Sequence, residues 1–226
     1  MRILLLGHGR MGRLVESLAP DYGATIAAVI DEQSGARAIA DADCGPIDVA
    51  IDFTLADAVV KNLPQLAERK INVVIGTTGW QAQEAAMRAI AAKAGVGVLA
   101  ASNFSLGMNV FQLAIEEASR HFAKHAEFGA WIHESHHVMK KDAPSGTAIT
   151  IRDGMQQAGY ARPIDVSSTR AGSVPGTHTV GFDGPSETIE LTHTVRDRAV
   201  FARGALTAAK WLVGKQGWFS IRDVLS

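Results

Sequence analysis

Four consecutive apolar residues, Ile3-Leu4-Leu5-Leu6, run directly into Gly7-His8-Gly9-Arg10-Met11-Gly12 and then into a helical stretch, Gly12 to Ala19. A strand that enters a helix through G-x-G-x-x-G leaves little freedom. The helix must cross back over a sheet, and the glycines let its first turn pack close to the strand. The pattern then repeats. Thr25 to Ile30, Asp48 to Asp52, Asn72 to Ile75 and Gly95 to Ala100 read as strands, with amphipathic helices over Ala56 to Arg69 and Gln81 to Ala94. Near-continuous Val/Ile/Leu strands separated by such helices predict a parallel sheet covered on both faces. The expected fold class is α/β, with an N-terminal Rossmann-like doubly wound sheet.

Beyond Ser102 the pattern changes. Leu106 to Phe122 reads as a helix, Phe128 to Glu134 as a strand, Ser145 to Gln157 as a helix, and Val166 to Phe201 alternates in strand fashion between Gly-rich turns. This predicts an α+β domain with a mixed sheet over 104–203, beside a dinucleotide-binding domain over 1–103. The tail, 204–226, is expected to form a C-terminal helix that packs back on the first domain. At 226 residues and 47% hydrophobic content, the chain can fill two cores.

Lys and Arg number 22 against 23 Asp and Glu, a net charge of -1, which excludes broad electrostatic binding to nucleic acid or to an anionic membrane. Any cationic site must be local. The N-terminal apolar run is too short for a signal peptide, and no run approaches the roughly 20 residues that span a bilayer. The single cysteine, Cys44, has no internal partner. A cytoplasmic protein is expected.

The glycine fingerprint, Gly7, His8, Gly9, Arg10, Met11 and Gly12, sits where a helix N-terminus offers backbone donors to a pyrophosphate. Asp31 ends the second strand about 20 residues further on, where a carboxylate accepts from the adenosine ribose diol. Neither Asp31 nor Glu32 is followed at once by a cation, so the sequence favours NADH over NADPH, with Arg10 or Arg37 able to soften that preference. Gly76-Thr77-Thr78 and Ala101-Ser102-Asn103-Phe104 close the fourth and fifth strands at their carboxyl ends, where open α/β sheets bind ligands, and suit a nicotinamide and its ribose.

The segment Glu134-Ser135-His136-His137-Val138-Met139-Lys140-Lys141-Asp142-Ala143-Pro144-Ser145-Gly146-Thr147 packs two histidines and two lysines ahead of a helix start. Ser145, Gly146 and Thr147 feed a helix N-terminus whose donors can hold a carboxylate. Lys140 adds a positive charge, and a histidine can exchange a proton near neutral pH. A small anionic substrate is implied. Adjacent histidines on an extended segment point to opposite faces, and no H-E-x-x-H or cysteine partner is present, so no metal site is expected. Further on, Thr169 to Val180 and Glu187 to His193 read as sheet and turns, with His178 and His193 structural and Arg198 available to a ligand or an ion pair.

Taken in order, GHGRMG, IDFT, GTTG, SNFSLGMNV, E-S-H-H-x-x-K-x-D-A-P-S-G-T-A, R-x-G-x-x-P-G-T-H-x-V and F-A-R-G-A resemble the dihydrodipicolinate reductase family over essentially the whole chain. The glycine fingerprint alone is unspecific; the H-H-x-x-K-x-D-A-P-S-G-T string is highly specific. The resemblance implies hydride transfer from NADH or NADPH to a cyclic dicarboxylate on the route to diaminopimelate and lysine. By the same resemblance His136 is the proton donor and acceptor and Lys140 a proton donor. His137, Ser145, Gly146 and Thr147 bind substrate carboxylates, and substrate domains associate into a homotetramer. On chemical grounds, hinge closure between the two domains is expected to bring nicotinamide and substrate together and exclude water. Two departures stand out: the short segment from Glu32 to Pro46, and Glu32 where some relatives carry a phosphate-binding arginine. The residues alone leave open a nicotinamide-binding homologue without this reaction, and a reductase of another cyclic imine or unsaturated acid.

Overall fold

The structure, a computed structural model, describes residues 1–31, 39 and 45–226. Glu32, Arg37 and Cys44 lie outside the described residues. In chain order the elements are β1 (Arg2–Leu6), α1 (Arg10–Leu18), β2 (Thr25–Ile30), β3 (Val49–Asp52), α2 (Ala56–Glu68), β4 (Asn72–Ile75), α3 (Glu84–Ala94), β5 (Gly97–Ala100), α4 (Leu106–Phe122), β6 (Gly129–His136), α5 (Gly146–Gln157), β7 (Ile164–Arg170), β8 (Thr177–Asp183), β9 (Thr188–Thr194), α6 (Ala199–Leu212) and β10 (Gly217–Phe219). They form two compact units, Met1–Leu106 with Ala199–Ser226, and Gly107–Arg198.

The first unit is a parallel sheet of order β10-β5-β4-β3-β1-β2 among the described residues. Its strands show why a two-residue period with apolar residues at every position demands cover on both faces. Ile3 and Leu5 of β1 pack with Val15 of α1 and with Ala205, Leu206 and Ala209 of α6. Leu4 and Leu6 point the other way, against Val59, Leu63 and Leu66 of α2 and Met87 of α3. The chain leaves β1 for β2 on one side and returns to β3 on the other, so the switch in strand order falls beside the loops that follow β1 and β3.

The tail departs from expectation. Instead of one helix over 204–226, α6 begins at Ala199 and ends at Leu212, and β10 then extends the sheet by pairing in parallel with β5. The expected alternating strand up to Phe201 is likewise helical from Ala199. The physical reason is a side chain distant in sequence. Asn72 donates to the carbonyls of Leu212 and Lys215, each at 2.9 Å, and accepts from the Gly97 amide at 2.7 Å. One amide thereby ties the end of α6 and the approach to β10 onto β4 and β5.

The second unit is a mixed sheet of order β7-β6-β8-β9, parallel between β6 and β7 and antiparallel elsewhere. Helices α4 and α5 cover one face through Phe111, Ile115, Ile151 and Met155, against Ala130 and Ile132 of β6 and Val180 and Phe182 of β8. Alternation along β6 sends Ala130, Ile132, Glu134 and His136 to the same buried side. The strand continues to His136, two residues past the expected end, because β7 and β8 pair along it through His136 and Ser135 respectively.

Candidate active site

In the parallel-sheet unit, a groove of about 780 Å³ lies over the switch point, bordered by Gly7, His8, Gly9, Asp31, Thr54 and Asn62. Gly7 has φ +87°, a left-handed conformation that favours glycine, and a Cβ there would come within 2.5 Å of the Phe53 carbonyl oxygen. A Cβ on Gly12 would lie 2.1 Å from the Gly7 oxygen, so the strand-to-helix turn closes only without one. At Gly9 a Cβ would meet nothing within 4 Å. Gly9 is also the N-cap of α1, and no side chain caps that helix start. These features fit a pyrophosphate, which needs backbone donors and an open approach. His8 is engaged by Glu16 at 2.7 Å, Arg10 is exposed, and Met11 packs against the apolar core.

Thr77, Ala101 and Ser102 border a second pocket of about 490 Å³ at the carboxyl ends of β4, β5 and β10, with Trp80, Arg88 and Trp218. Gly76 opens the loop after β4, and Thr78 is exposed beside the half-buried Thr77. Phe104 is buried edge-on against Phe53, and the Asn103 side chain accepts from the Ser105 amide at 2.9 Å. Asp52 organises this end of the sheet, although the IDFT motif carries no assigned role in the sequence reading. Its carboxylate accepts from the Thr54 amide (2.9 Å), the Asn62 amide (3.0 Å) and the Thr77 hydroxyl (3.3 Å). Burial pushes its pKa up, opposed by the hydrogen bonds from Thr54, Asn62 and Thr77.

The mixed-sheet unit gathers ionisable groups where the alternation of β6 places them. Glu134 is fully buried, and His136, two residues along the same face, hydrogen-bonds through Nδ1 to its carboxylate, which accepts. Arg170 of β7, opposite His136 in the strand register, grips both oxygens of Glu134 at 3.0 and 2.7 Å. The same guanidinium donates to the Asp142 carbonyl at 2.6 Å, and the Asp142 carboxylate holds Lys140 at 2.7 and 2.8 Å. The expected proton-transfer histidine and lysine are thus linked through one arginine. Burial alone would raise the Glu134 carboxyl, but hydrogen bonds from Arg170, Ser168 and His136 bring it down to about 2. Burial lowers the His136 imidazole, and Lys140 and Arg170 add to that, while Glu134 pulls it up.

His178 of β8 faces Glu134 in the register, and its ring meets His136 edge-on at 5.2 Å. Burial first, and then the charge of His136, push it down to about 4. Its Nε2 lies 3.2 Å from the Ser145 hydroxyl, which caps α5 by accepting from the Ala148 amide. The Ser145 amide donates to Glu134 at 3.2 Å. Gly146 and Thr147 form the first turn of that helix, Gly146 exposed and Thr147 half-buried, and His137 follows the end of β6, half-buried. Ligand atoms of Glu134, His136 and His178 lie within 4.8 Å of one another. With Arg170 on both carboxylate oxygens, the cluster already contains its cation, and a metal ion would have to displace it.

The sequence reading assigns no role to Glu134, although it heads the catalytic segment, and takes Arg170 and His178 as part of sheet and turns. A signal for Glu134 was present: a carboxylate continuing an inward apolar row needs a partner. Nothing in the sequence identified Arg170 as that partner.

Two family models match the chain: "Dihydrodipicolinate reductase, N-terminus" over residues 1–104 and "Dihydrodipicolinate reductase, C-terminus" over 107–225. A protein of Christiangramia forsetii named 4-hydroxy-tetrahydrodipicolinate reductase is 37% identical over 100% of this chain and 98% of its own. One of the same name from Stenotrophomonas maltophilia is 39% identical over 100% and 98%. Among solved structures, dipicolinate-bound dihydrodipicolinate reductase from a Paenisporosarcina species superposes with a TM-score of 0.83 at 19% identity, covering 97% of each chain. A probable dehydrogenase from Thermotoga maritima reaches 0.60 at 12% identity, over 99% of this chain and 92% of its own. These structural likenesses concern the fold.

Proposed function

The chain belongs to the dihydrodipicolinate reductase family, and from that premise we propose how its residues divide the reaction. It is an oxidoreductase of lysine and diaminopimelate biosynthesis, reducing 4-hydroxy-tetrahydrodipicolinate with NAD(P)H. The dinucleotide belongs to the parallel-sheet unit, on Gly7 to Gly12, Asp31, Gly76 to Thr78 and Ala101 to Phe104. The dicarboxylate belongs to the mixed-sheet unit, on His137 and the α5 start from Ser145 to Thr147, with His136 and Lys140 as the catalytic residues. The observation that carries this reading is His136 at the end of β6, held by a buried carboxylate and joined through Arg170 and Asp142 to Lys140.

NADH or NADPH, when bound, supplies the hydride. Reduction at an unsaturated carbon leaves an electron pair on the conjugated nitrogen system, and a positioned acid and cation lower that barrier, typically ~10²–10⁴-fold for the proton donor. His136 provides the acid through its imidazole and Lys140 the charge. The backbone donors of α5 offset the substrate's carboxylates.

NADH is the preferred cofactor in this reading, because the Asp31 carboxylate borders the groove and would repel a 2′-phosphate. Arg13 and Lys61 border the same groove and keep NADPH usable. Assembly as a homotetramer through the mixed-sheet unit is supported by the helix-free face of its sheet, where Thr177–Thr194 and Thr179–Thr192 pairs are exposed. No helix among the described residues is long and apolar enough to cross a membrane, consistent with the cytoplasm as the proposed place of action.

The test is oxidation of NADH and of NADPH, each with enzymatically generated 4-hydroxy-tetrahydrodipicolinate. His136→Gln and Lys140→Ala are expected to lower kcat ~10²–10⁴-fold while NADH still binds. Unchanged turnover in either variant removes that residue's role, and a lower KM for NADPH than for NADH overturns the Asp31 argument.

A further inference from the structure

The R-x-G-x-x-P-G-T-H segment, read from sequence as sheet and turns, converges on His136. Arg170 ends β7 beside it, His178 stands against its ring from β8, and Gly176, just before β8, lies over its far nitrogen. We propose that Glu134, clamped by Arg170, is the positioning residue that keeps the proton on Nδ1 of His136, so that Nε2 alone exchanges protons with the substrate, and that Gly176 keeps the approach to Nε2 open. This rests on the assignment of His136 above and adds to it which nitrogen works and what sets it.

Three observations support it. Glu134 meets His136 at Nδ1 and takes both terminal nitrogens of Arg170, so its carboxylate is fixed in place and stays ionised. A carboxylate so held orients a histidine and selects its tautomer, as in hydrolase triads. Gly176 has φ +153°, and a Cβ there would lie 3.0 Å from His136 Nε2. That is the nitrogen Glu134 does not touch. In the step itself the Nε2–H bond of the imidazolium breaks and the proton moves to the position left electron-rich by hydride arrival. The imidazole that remains keeps its Nδ1 proton on Glu134 and regains the other from solvent. The charged and titratable groups facing His136 are Glu134 on its own strand, Lys140 on the following loop, Arg170 on β7 and His178 on β8, with His193 of β9 behind His178. Of these Glu134 is the one that favours the imidazolium.

Glu134→Gln is therefore expected to lower kcat ~10²–10⁴-fold with KM for both ligands within about threefold, and to move the His136 limb of the pH–rate profile to lower pH. Glu134→Asp should recover part of the loss. Wild-type kcat and an unshifted limb in Glu134→Gln, in a preparation where His136→Gln has lost turnover, overturn this inference and leave the proposed function standing. Retained turnover in His136→Gln itself overturns the reading beneath it. Should Glu134→Gln not fold, nitrogen-15 NMR on the unaltered protein decides: a protonated Nδ1 in neutral His136 is expected, and a protonated Nε2 overturns the proposal. Gly176→Ala should lower kcat with NADH affinity unchanged, and an unaffected kcat overturns the open-approach half.

Discussion

The parallel-sheet unit and the mixed-sheet unit build their candidate sites from different materials. Over β1 and α1 the walls are backbone: Gly7, Gly9 and Gly12 are there to be absent as side chains, and the buried ionisable group nearby, Asp52, is satisfied by neutral amides and hydroxyls. Under β6 the material is charge taken out of water: a carboxylate, a guanidinium and two imidazoles. Backbone donors occur wherever a strand feeds a helix, so the first site follows from topology and tolerates its neighbours. A buried ion cluster holds only while every member is present, since one missing partner leaves an uncompensated charge.

That contrast can be broken by substitution. The largest effect is expected from Arg170→Leu, which strands Glu134. It should cost about 3–5 kcal/mol in urea denaturation and leave NADH affinity of the folded protein unchanged. A loss below about 1 kcal/mol would mean that Glu134 finds water or another donor.

Acid should distinguish the units next. His178 has a folded pKa of about 4, below its ordinary 6.5, so below pH 6.5 the unfolded chain takes a proton the folded chain refuses. Stability is thus complete above pH 6.5 and falls as pH drops towards 4, by on the order of 3 kcal/mol. His136 and His193, also lowered by burial, act in the same direction. Glu134 adds its own loss only further down, between its ordinary 4.5 and about 2. Thermal melts between pH 7 and 4 should show the decline, and His178→Gln should lessen its slope; an unchanged slope would place the titration elsewhere.

In the parallel-sheet unit, Gly12→Ala should cost about 1–3 kcal/mol, because the methyl meets the Gly7 oxygen, and should weaken NADH binding more than it lowers kcat at saturation. The reverse split would mean that the turn serves the reaction and not the cofactor. The smallest effect is expected for Asp21→Ala. Its exposed pair with Arg203, at 3.5 Å, should matter by less than about 0.5 kcal/mol, the surface counterpart of the buried Arg170–Glu134 pair.

Legibility follows the same division. The strands of the parallel sheet are readable because each is apolar at nearly every position, and their observed ends lie within two residues of expectation. β10 was not readable. It is three residues long, and its pairing is decided by Asn72, far away in the chain. In the mixed-sheet unit the string from His136 to Thr147 marks where chemistry resides, and Ser145 caps α5 as its position before Gly146 suggests. The role of Glu134 is not legible because the apolar row of the strand ends before it, whereas β6 runs on and turns Glu134 and His136 to one side.

What the sequence by itself determined is what depends on neighbours along the chain: the two-residue apolar period, the glycine turn after β1, the helix start after Pro144, and the motif string that relates the chain to its family. What only the tertiary structure decided is which distant side chains share a desolvated space. Arg170 stands 36 residues from Glu134, and parallel pairing of β6 with β7 brings them within hydrogen-bonding distance. Burial and opposing charge act through space with no regard for sequence separation, so the ionised Glu134 and the neutral His178 are properties of the folded sheet.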